Sequence, residues 1–280
     1  MGRAIAMLLV AGFFLGAPAG AHGHDTGADG DPASGLALDP DAAIARSRAA
    51  IGRLVGDYAF LDEAGNVVRL AEYRGRPLVV SLVFTACSQS CPVIVERLAA
   101  AVAVAQDALG PDSFSVVTVG FDSRNDTPAR MRAFARSHGV DLPGWRFLSG
   151  DQAAVDALVE DLGFLRFASP RGFDHIAQVS LIDAEGRVHG HVYGDDFEVP
   201  ALVEPLKALV LRQDTALTDV AAVIRRVTLF CTFFDPRSGR YAVDYSFVIS
   251  FAIGGLALFG LAVFLLRTFW VMHRPPRGTG

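Results

Sequence analysis

Two cysteines with a short spacing are the residues of this chain whose side chains could do chemistry. Cys87 and Cys91 lie where an apolar run ends and a helical pattern begins. At the start of a helix, unpaired backbone N–H groups and partial positive charge lower the pKa of a thiol, which makes it a better nucleophile or soft-metal ligand. Residues four positions apart can share one face of the first helical turn. The pair therefore predicts a site for either one disulfide or one soft cation.

The cysteine count favours a functional pair over a structural one. The chain of 280 residues has three cysteines, which is far fewer than the disulfide frameworks of small secreted domains contain. A static disulfide between Cys87 and Cys91 remains the alternative, although closing so short a loop removes little chain entropy and stabilises little.

Both ends of the chain are apolar and suggest export and anchoring. Residues 1–21 resemble a secretory signal peptide, with Arg3 near the start and the small residues Ala19-Gly20-Ala21 at a cleavage position. The segment from Phe247 to Leu266 is uncharged and, at about 20 residues, long enough to cross a bilayer core. Because basic residues follow from Arg267 onward, the positive-inside rule places the C-terminal tail in the cytoplasm. We expect a bacterial inner-membrane protein with its main domain in the periplasm.

The stretch after the signal peptide is rich in Gly, Asp and Ala with little apolar periodicity, and we expect it to be mobile. Ordered structure is expected to begin near Leu54. The expected organisation is a signal peptide (1–21), a flexible leader (22–50), a folded domain (51–213), a connector (214–244), a transmembrane helix (245–270) and a cytoplasmic tail (271–280).

Strand and helix patterns alternate through the folded domain, which predicts an α/β fold with a mostly parallel central sheet. Two short extended runs around the turn Asp62–Asn66 come first. The expected elements that follow are strands at 78–84, 114–121 and 145–148, helices at 91–109, 128–138 and 151–161, a hairpin at 176–193 and a closing helix at 199–211. Ligands bind such sheets beyond the carboxyl ends of the strands, where Cys87 lies. A dithiol at a strand-to-helix turn, in a sheet that ends in a hairpin, is typical of the thioredoxin-like fold.

Four segments resemble the Sco/SenC family of copper-binding, thioredoxin-like proteins that assist the assembly of cytochrome c oxidase. The resemblance runs from about Leu54 to Leu211, with the matching segments in the family's order. They are Cys87 to Pro92, Asp122 to Pro128, Asp174-His175 and the hairpin turn Leu181 to Gly186. The family is usually anchored by an N-terminal helix, so an anchor at the C-terminus is a departure from its pattern.

The resemblance implies a copper site made of Cys87, Cys91 and His175. Monovalent copper is soft, and two sulfurs with one imidazole suit it. Asp174-His175 stands where thioredoxins carry a proline facing their dithiol. Asp122 and Asp174 are candidate carboxylates around these ligands. Two alternatives without a role at the metal are equally good: Asp122 belongs to a turn at the end of a strand, and Asp174 is an ordinary loop carboxylate.

Other histidines and the third cysteine give weaker signals. Cleavage after Ala21 would leave His22 and His24 near a free amine, an arrangement that chelates Cu(II), and a flexible polar leader is the alternative. His189 and His191 share one side of a strand, and we expect solvated hairpin histidines. Cys231, between the domain and the apolar segment, is expected to be a buried or membrane-interface thiol.

Two functions fit the dithiol. The first is a copper chaperone that passes the ion by ligand exchange to the copper-centre subunit of cytochrome c oxidase, or to other periplasmic copper or thiol-redox proteins. The second is a thiol-disulfide oxidoreductase in which Cys87 attacks and Cys91 resolves. The first function needs His175 and the second does not. A copper sensor would use the same site, and a peroxidase has no independent support.

The net charge of −5 gives no indication of nucleic-acid binding.

Overall fold

The computed structural model describes residues 38–87, 90–169, 172–213, 232–243 and 245–272. The predicted signal peptide, the leader histidines His22 and His24, Cys231 with most of the connector, and the end of the tail lie outside these ranges. The helices are α1 (Pro40–Arg48), α2 (Ser90–Leu109), α3 (Pro128–Ser137), α4 (Gln152–Asp161), α5 (Val199–Gln213) and α6 (Tyr245–Met272). The strands are β1 (Ala59–Leu61), β2 (Val67–Arg69), β3 (Leu78–Val83), β4 (Ser115–Gly120), β5 (Trp145–Ser149), β6 (Arg166–Ser169), β7 (Gly172–His175), β8 (Gln178–Ile182), β9 (Val188–Tyr193), β10 (Thr232–Asp235) and β11 (Arg240–Val243).

Seven strands form the main sheet in the order β2-β1-β5-β4-β3-β8-β9. The three central strands β5, β4 and β3 are parallel, and the flanking strands pair antiparallel. Every residue of β3 and β4 is buried, as their continuous apolar runs predict for strands covered on both faces. The predicted α/β architecture is therefore confirmed, and the carboxyl end of β3 leads directly to the cysteine pair.

Helix α1 corrects the prediction of a mobile leader as far as residue 50. Asp39 caps the helix by accepting hydrogen bonds from the backbone N–H groups of Asp41 and Ala42, and Pro40 takes the first position. Ala43 and Ser47 are completely buried. Because the helix packs through small side chains, its sequence lacks the large apolar residues at helical spacing that predict a buried helix.

The chain after α5 forms a β10–β11 hairpin that is fixed to the domain. Lys207 of α5 donates a hydrogen bond to the backbone oxygen of Thr232 at 2.7 Å. The hydroxyl of Tyr241 donates to Glu204 at 2.7 Å, and its ring packs against the core. Helix α6 follows, and within it Ala252–Trp270 is long and apolar enough to cross a membrane by length and composition. The predicted C-terminal apolar helix is confirmed.

Candidate dithiol and metal centre

The structure brings Cys87 and Cys91 together as a dithiol at the carboxyl end of β3. The backbone N–H of Cys87 donates to the carbonyl oxygen of Phe84 at 3.1 Å, which bends the chain as it leaves the strand. Cys91 is the second residue of α2 and is completely buried, whereas Cys87 is partly exposed. The two side chains are hydrogen-bonded to each other. The site is therefore a pair with one accessible and one buried sulfur.

Burial raises the pKa of the Cys91 thiol far above its ordinary value. The neighbouring Cys87 and the carboxyl of Asp126 act in the same direction, while a backbone hydrogen bond at Phe84 acts against it. The expectation that the start of a helix lowers the pKa of a thiol is therefore wrong for Cys91. The helix-end field contributes about 1 kcal/mol, and loss of hydration at a buried thiolate costs more. Cys87 is thus the sulfur that can first reach a partner.

Asp126 is the buried residue that fixes the loop before the dithiol. Its carboxylate accepts hydrogen bonds from the N–H and the hydroxyl of Thr85, both at 2.8 Å, and from the N–H of Asp122 at 2.9 Å. It is 1% exposed, and burial raises its pKa. A Cβ at Gly120 would lie 2.4 Å from the Cβ of Asp126, so glycine is needed there. One side chain therefore ties the ends of β3 and β4 together.

This role of Asp126 was not predicted from the sequence, in which the residue stands only within the matched segment Asp122 to Pro128. The cap of α3 is Thr127, whose side chain accepts from the N–H of Arg130. The signal that could have located Asp126 is its place in the aspartate-rich segment that follows a buried strand. Asp122 closes the turn itself, because its carboxylate accepts from the Asn125 side chain at 2.7 Å.

His175 ends β7 in a shell of aromatic rings. Its ring centroid lies 5.4 Å from those of Phe121 and Phe164, and 6.1 Å from that of Phe84. Nδ1 lies 2.9 Å from the carbonyl oxygen of Ile176, so it carries the proton and donates, which leaves the lone pair on Nε2. Burial lowers the pKa of His175, so the ring is neutral at neutral pH. A neutral imidazole with one oriented N–H is the form that ligates metals.

The hairpin that carries His175 was not predicted from the sequence. β6 and β7 form a separate two-stranded sheet in which Arg166 stands opposite His175. Arg166 donates to the carbonyl oxygen of Phe121 and forms an ion pair with Asp156. Its guanidinium carbon also lies 5.4 Å from the Phe121 ring centroid. The hairpin is therefore fixed above the end of β4.

The dithiol and the imidazole share Phe84 as a neighbour, because its backbone contacts the cysteine turn and its ring contacts His175. Within the described ranges, no group of three or more His, Cys, Asp or Glu side chains is close enough together to hold a metal ion. Asp174 is exposed beside His175 and favours its protonated form electrostatically. The structure thus preforms the dithiol and places a neutral imidazole close by, without closing a three-ligand cluster.

His191 differs from its prediction as a solvated histidine. Its Nε2–H donates to the carbonyl oxygen of Ser47 at 2.9 Å, and its Nδ1 lies 3.0 Å from the Ser180 hydroxyl. Burial lowers its pKa. The pairing of β8 with β9 shifts by one residue at Leu181/Ile182. This irregularity leaves His189 unpaired with β8 and interrupts the regular alternation that would place it on the same side of β9 as His191. His191 therefore fastens α1 to the sheet.

Comparison with known proteins places this architecture in a family. The SCO1/SenC family model matches residues 47–211, which is more than half of the chain. A SCO2-like protein of Rickettsia felis is 22% identical over 153 residues, which cover 51% of this chain and 71% of that protein.

The solved structures that share the fold include the following two. A putative electron transfer protein from Aquifex aeolicus VF5 is 25% identical with a TM-score of 0.52, covering 57% of this chain and 94% of that one. A SCO1/SenC family lipoprotein from Bacillus anthracis str. Ames is 21% identical with a TM-score of 0.52, covering 56% and 95%. The fold is the thioredoxin-like fold of Sco proteins, as the sequence predicted. Since the family model covers most of the folded domain, the chain belongs to the SCO1/SenC family.

Proposed function

We propose that this protein is a membrane-anchored periplasmic copper chaperone that binds Cu(I) through Cys87, Cys91 and His175. The observation that carries the proposal is a preformed dithiol with a neutral imidazole nearby, whose Nδ1–H is already engaged and whose Nε2 lone pair is left for a ligand. Thiolate and imidazole ligands together select a soft monovalent copper ion. The family to which the chain belongs supports copper as the cargo.

Copper binding brings the third ligand to the other two. Arg166 anchors the β6–β7 hairpin to the end of β4, and within the described ranges the hairpin makes no strand pairing with the seven-stranded sheet. We therefore expect a small movement of His175 on this anchored hairpin, with the hydrogen bonds of the main sheet kept. His175 then approaches the sulfurs across the ring of Phe84. Asp174, next to His175, and Asp122, at the end of β4, are the proposed carboxylates around the ligands.

Delivery proceeds by ligand exchange on the accessible side of the pair. Cys87 is partly exposed and Cys91 is buried, so an incoming thiolate meets the ion beside Cys87 first. The proposed recipient is the dinuclear copper centre in the periplasmic part of cytochrome c oxidase. Helix α6 keeps the chaperone at the membrane that holds this recipient, with the tail after it in the cytoplasm.

The test is a Cu(I) competition titration against a chelator of known affinity, using the reduced full-length protein in detergent. Wild type should bind one ion, and His175→Ala should bind it at least tenfold more weakly because one of three ligands is lost. His189→Ala is the matched control, since it removes an imidazole from β9 and should keep wild-type affinity. Equal affinities for wild type and His175→Ala would remove the histidine from the site.

A thiol-disulfide oxidoreductase is the second candidate, and the asymmetry of the pair favours it. An accessible Cys87 hydrogen-bonded to a buried Cys91 suits attack by one sulfur and resolution by the other. This activity does not need the imidazole. His175→Ala that loses copper binding but keeps the rate of disulfide exchange would show both functions in one site, whereas copper binding indifferent to His175 would favour the reductase.

A further inference from the structure

An open cleft of about 530 Å³ lies beside the accessible cysteine. One wall is the loop Thr85–Cys87, which Asp126 fixes in place. The other wall is the face of α3 that runs from Arg130 to Ser137 and continues to His138. The cleft therefore opens directly onto the sulfur that a partner must reach.

The length of the cleft suits a short extended segment of polypeptide. Arg130 and Ser137 are seven positions apart on one helix, which corresponds to about 10 Å along its axis. An extended chain advances about 3.3 Å per residue, so three residues span this wall. The volume also lies within the range of ligand-binding pockets.

The cleft has an apolar floor. Phe134 is buried in the middle of the α3 wall, and its ring centroid lies 4.5 Å from that of His138. Ala133 and Ala86 add small apolar surface on the two sides. A bound segment can therefore bury aliphatic carbons against this floor while its polar groups reach the rim.

Arg130 places a positive charge on the rim of the cleft. Arg130 is exposed, and His138 stands at the far end with Nδ1 3.3 Å from the carboxylate of Glu96. None of the described residues that line the cleft is acidic. Of the three arginines of α3, Arg130 lines the cleft and Arg132 donates to the backbone oxygen of Glu63. The whole chain has a net charge of −5. The charge that Arg130 places beside the accessible cysteine is thus opposite in sign to the net charge of the whole chain, while the Glu96 carboxylate lies at the far end of the cleft.

We propose that the cleft docks an acidic, cysteine-bearing segment of the protein with which Cys87 exchanges copper or a disulfide. This inference rests on the proposed function, because it assumes a protein partner that presents a thiol. Arg130 attracts the carboxylates of the segment, the Phe134 floor receives its apolar part, and the geometry delivers its sulfur to Cys87. Charge complementarity of this kind acts mainly on the rate of encounter and on the choice of partner.

The experiment measures disulfide exchange with two three-residue probes. The peptides are acetyl-Asp-Cys-Asp-amide and acetyl-Lys-Cys-Lys-amide, each with its cysteine in a disulfide with thionitrobenzoate. The Cys87 thiolate attacks the peptide sulfur, a new S–S bond forms, and the old bond's electron pair leaves with thionitrobenzoate, whose absorbance is followed. Cys91 then loses a proton and displaces the peptide thiol, which leaves a Cys87–Cys91 disulfide. Full-length reduced protein with Cys231→Ser restricts the signal to the pair.

The acidic probe should react about tenfold faster than the basic one at low ionic strength, and the ratio should shrink as salt is added. Arg130→Glu should abolish or invert the ratio. The matched control is Arg76→Glu, which makes the same charge change at an exposed site before β3, separated from the loop by a six-residue strand or about 20 Å. This control should keep the wild-type ratio.

Equal rates with the two probes, or the same ratio in Arg130→Glu and Arg76→Glu, would overturn the docking proposal. A Cu(I) titration of the same variants separates this failure from failure of the proposed function. Arg130→Glu should bind copper as wild type does, because Arg130 is not a ligand. If wild type discriminates between the probes but binds no copper, the docking site stands and the chaperone proposal falls.

Discussion

Asp126 should be the polar side chain whose removal most weakens the dithiol region. Asp126→Ala removes the carboxylate that accepts three hydrogen bonds. The part-buried N–H groups of Thr85 and Asp122 then lose their acceptor. Each unsatisfied buried donor costs about 1–3 kcal/mol. The Thr85 hydroxyl can rotate towards another acceptor, so two donors set the estimate. We expect the free energy of unfolding to fall by about 2–6 kcal/mol.

Asp126→Asn tests the same reasoning with a nearly isosteric change. The amide oxygen can still accept from Thr85, but the amide nitrogen then faces the N–H of Asp122, so two donors oppose each other. This variant should be destabilised by less than the alanine variant. Asp107→Ala on the exposed side of α2 is the control and should stay within about 0.5 kcal/mol of wild type.

The assay is urea unfolding of the reduced protein in detergent, followed by the fluorescence of Trp145 in a Trp270→Phe background. Trp145 is buried in β5 and donates to the Thr118 hydroxyl at 3.0 Å, so its emission reports on the sheet. If Asp126→Ala unfolds within 0.5 kcal/mol of Asp107→Ala, the role assigned to the buried carboxylate is wrong.

Three further predictions concern α1, His191 and the C-terminal hairpin. Gly163→Ala should lower the free energy of unfolding by about 1–3 kcal/mol more than Gly65→Ala, as measured by urea unfolding. Both glycines have positive φ, but only at Gly163 would a Cβ meet the backbone of α1, 2.6 Å away. Equal losses would contradict the close contact. The pKa of His191 is lowered in the folded protein, so below about pH 6.5 the unfolded chain binds more protons than the folded one. The free energy of unfolding should therefore decrease as the pH falls through that range. His191→Gln should make this decrease shallower, and an unchanged slope would contradict the assignment. Lys207→Met should leave the backbone oxygen of Thr232 without its donor and speed proteolysis within 232–243, and an unaltered cleavage rate would argue against docking of the hairpin.

The central strands could be predicted because burial on both faces leaves an uninterrupted apolar run. β3 and β4 match that pattern residue by residue. Helix α1 could not be found in this way, since Ala43 and Ser47 fill its interface. Small side chains bury well against a closely approaching backbone but give no amphipathic signal. The β6–β7 hairpin was missed because its two strands are four residues each and belong to no larger sheet.

The chemistry of the site was partly readable from the sequence. The spacing of Cys87 and Cys91 predicted their meeting at the end of β3, and the structure confirms it. The sequence predicted a lowered pKa for a thiol at the helix start, whereas burial raises the pKa of Cys91. The burial of a side chain depends on tertiary packing, which no local motif encodes. Asp126 was missed for the same reason: its partners are a loop residue 41 positions earlier and a strand-end backbone group.

The central claim is that two sulfurs and one imidazole bind a single copper ion, and X-ray absorption at the copper edge of the Cu(I)-loaded, full-length protein tests it most directly. The account predicts two sulfur ligands and one nitrogen ligand in wild type, the same set in Cys231→Ser, and loss of the nitrogen with both sulfurs kept in His175→Ala. A wild-type spectrum without the nitrogen, or one that His175→Ala leaves unchanged, would contradict the account.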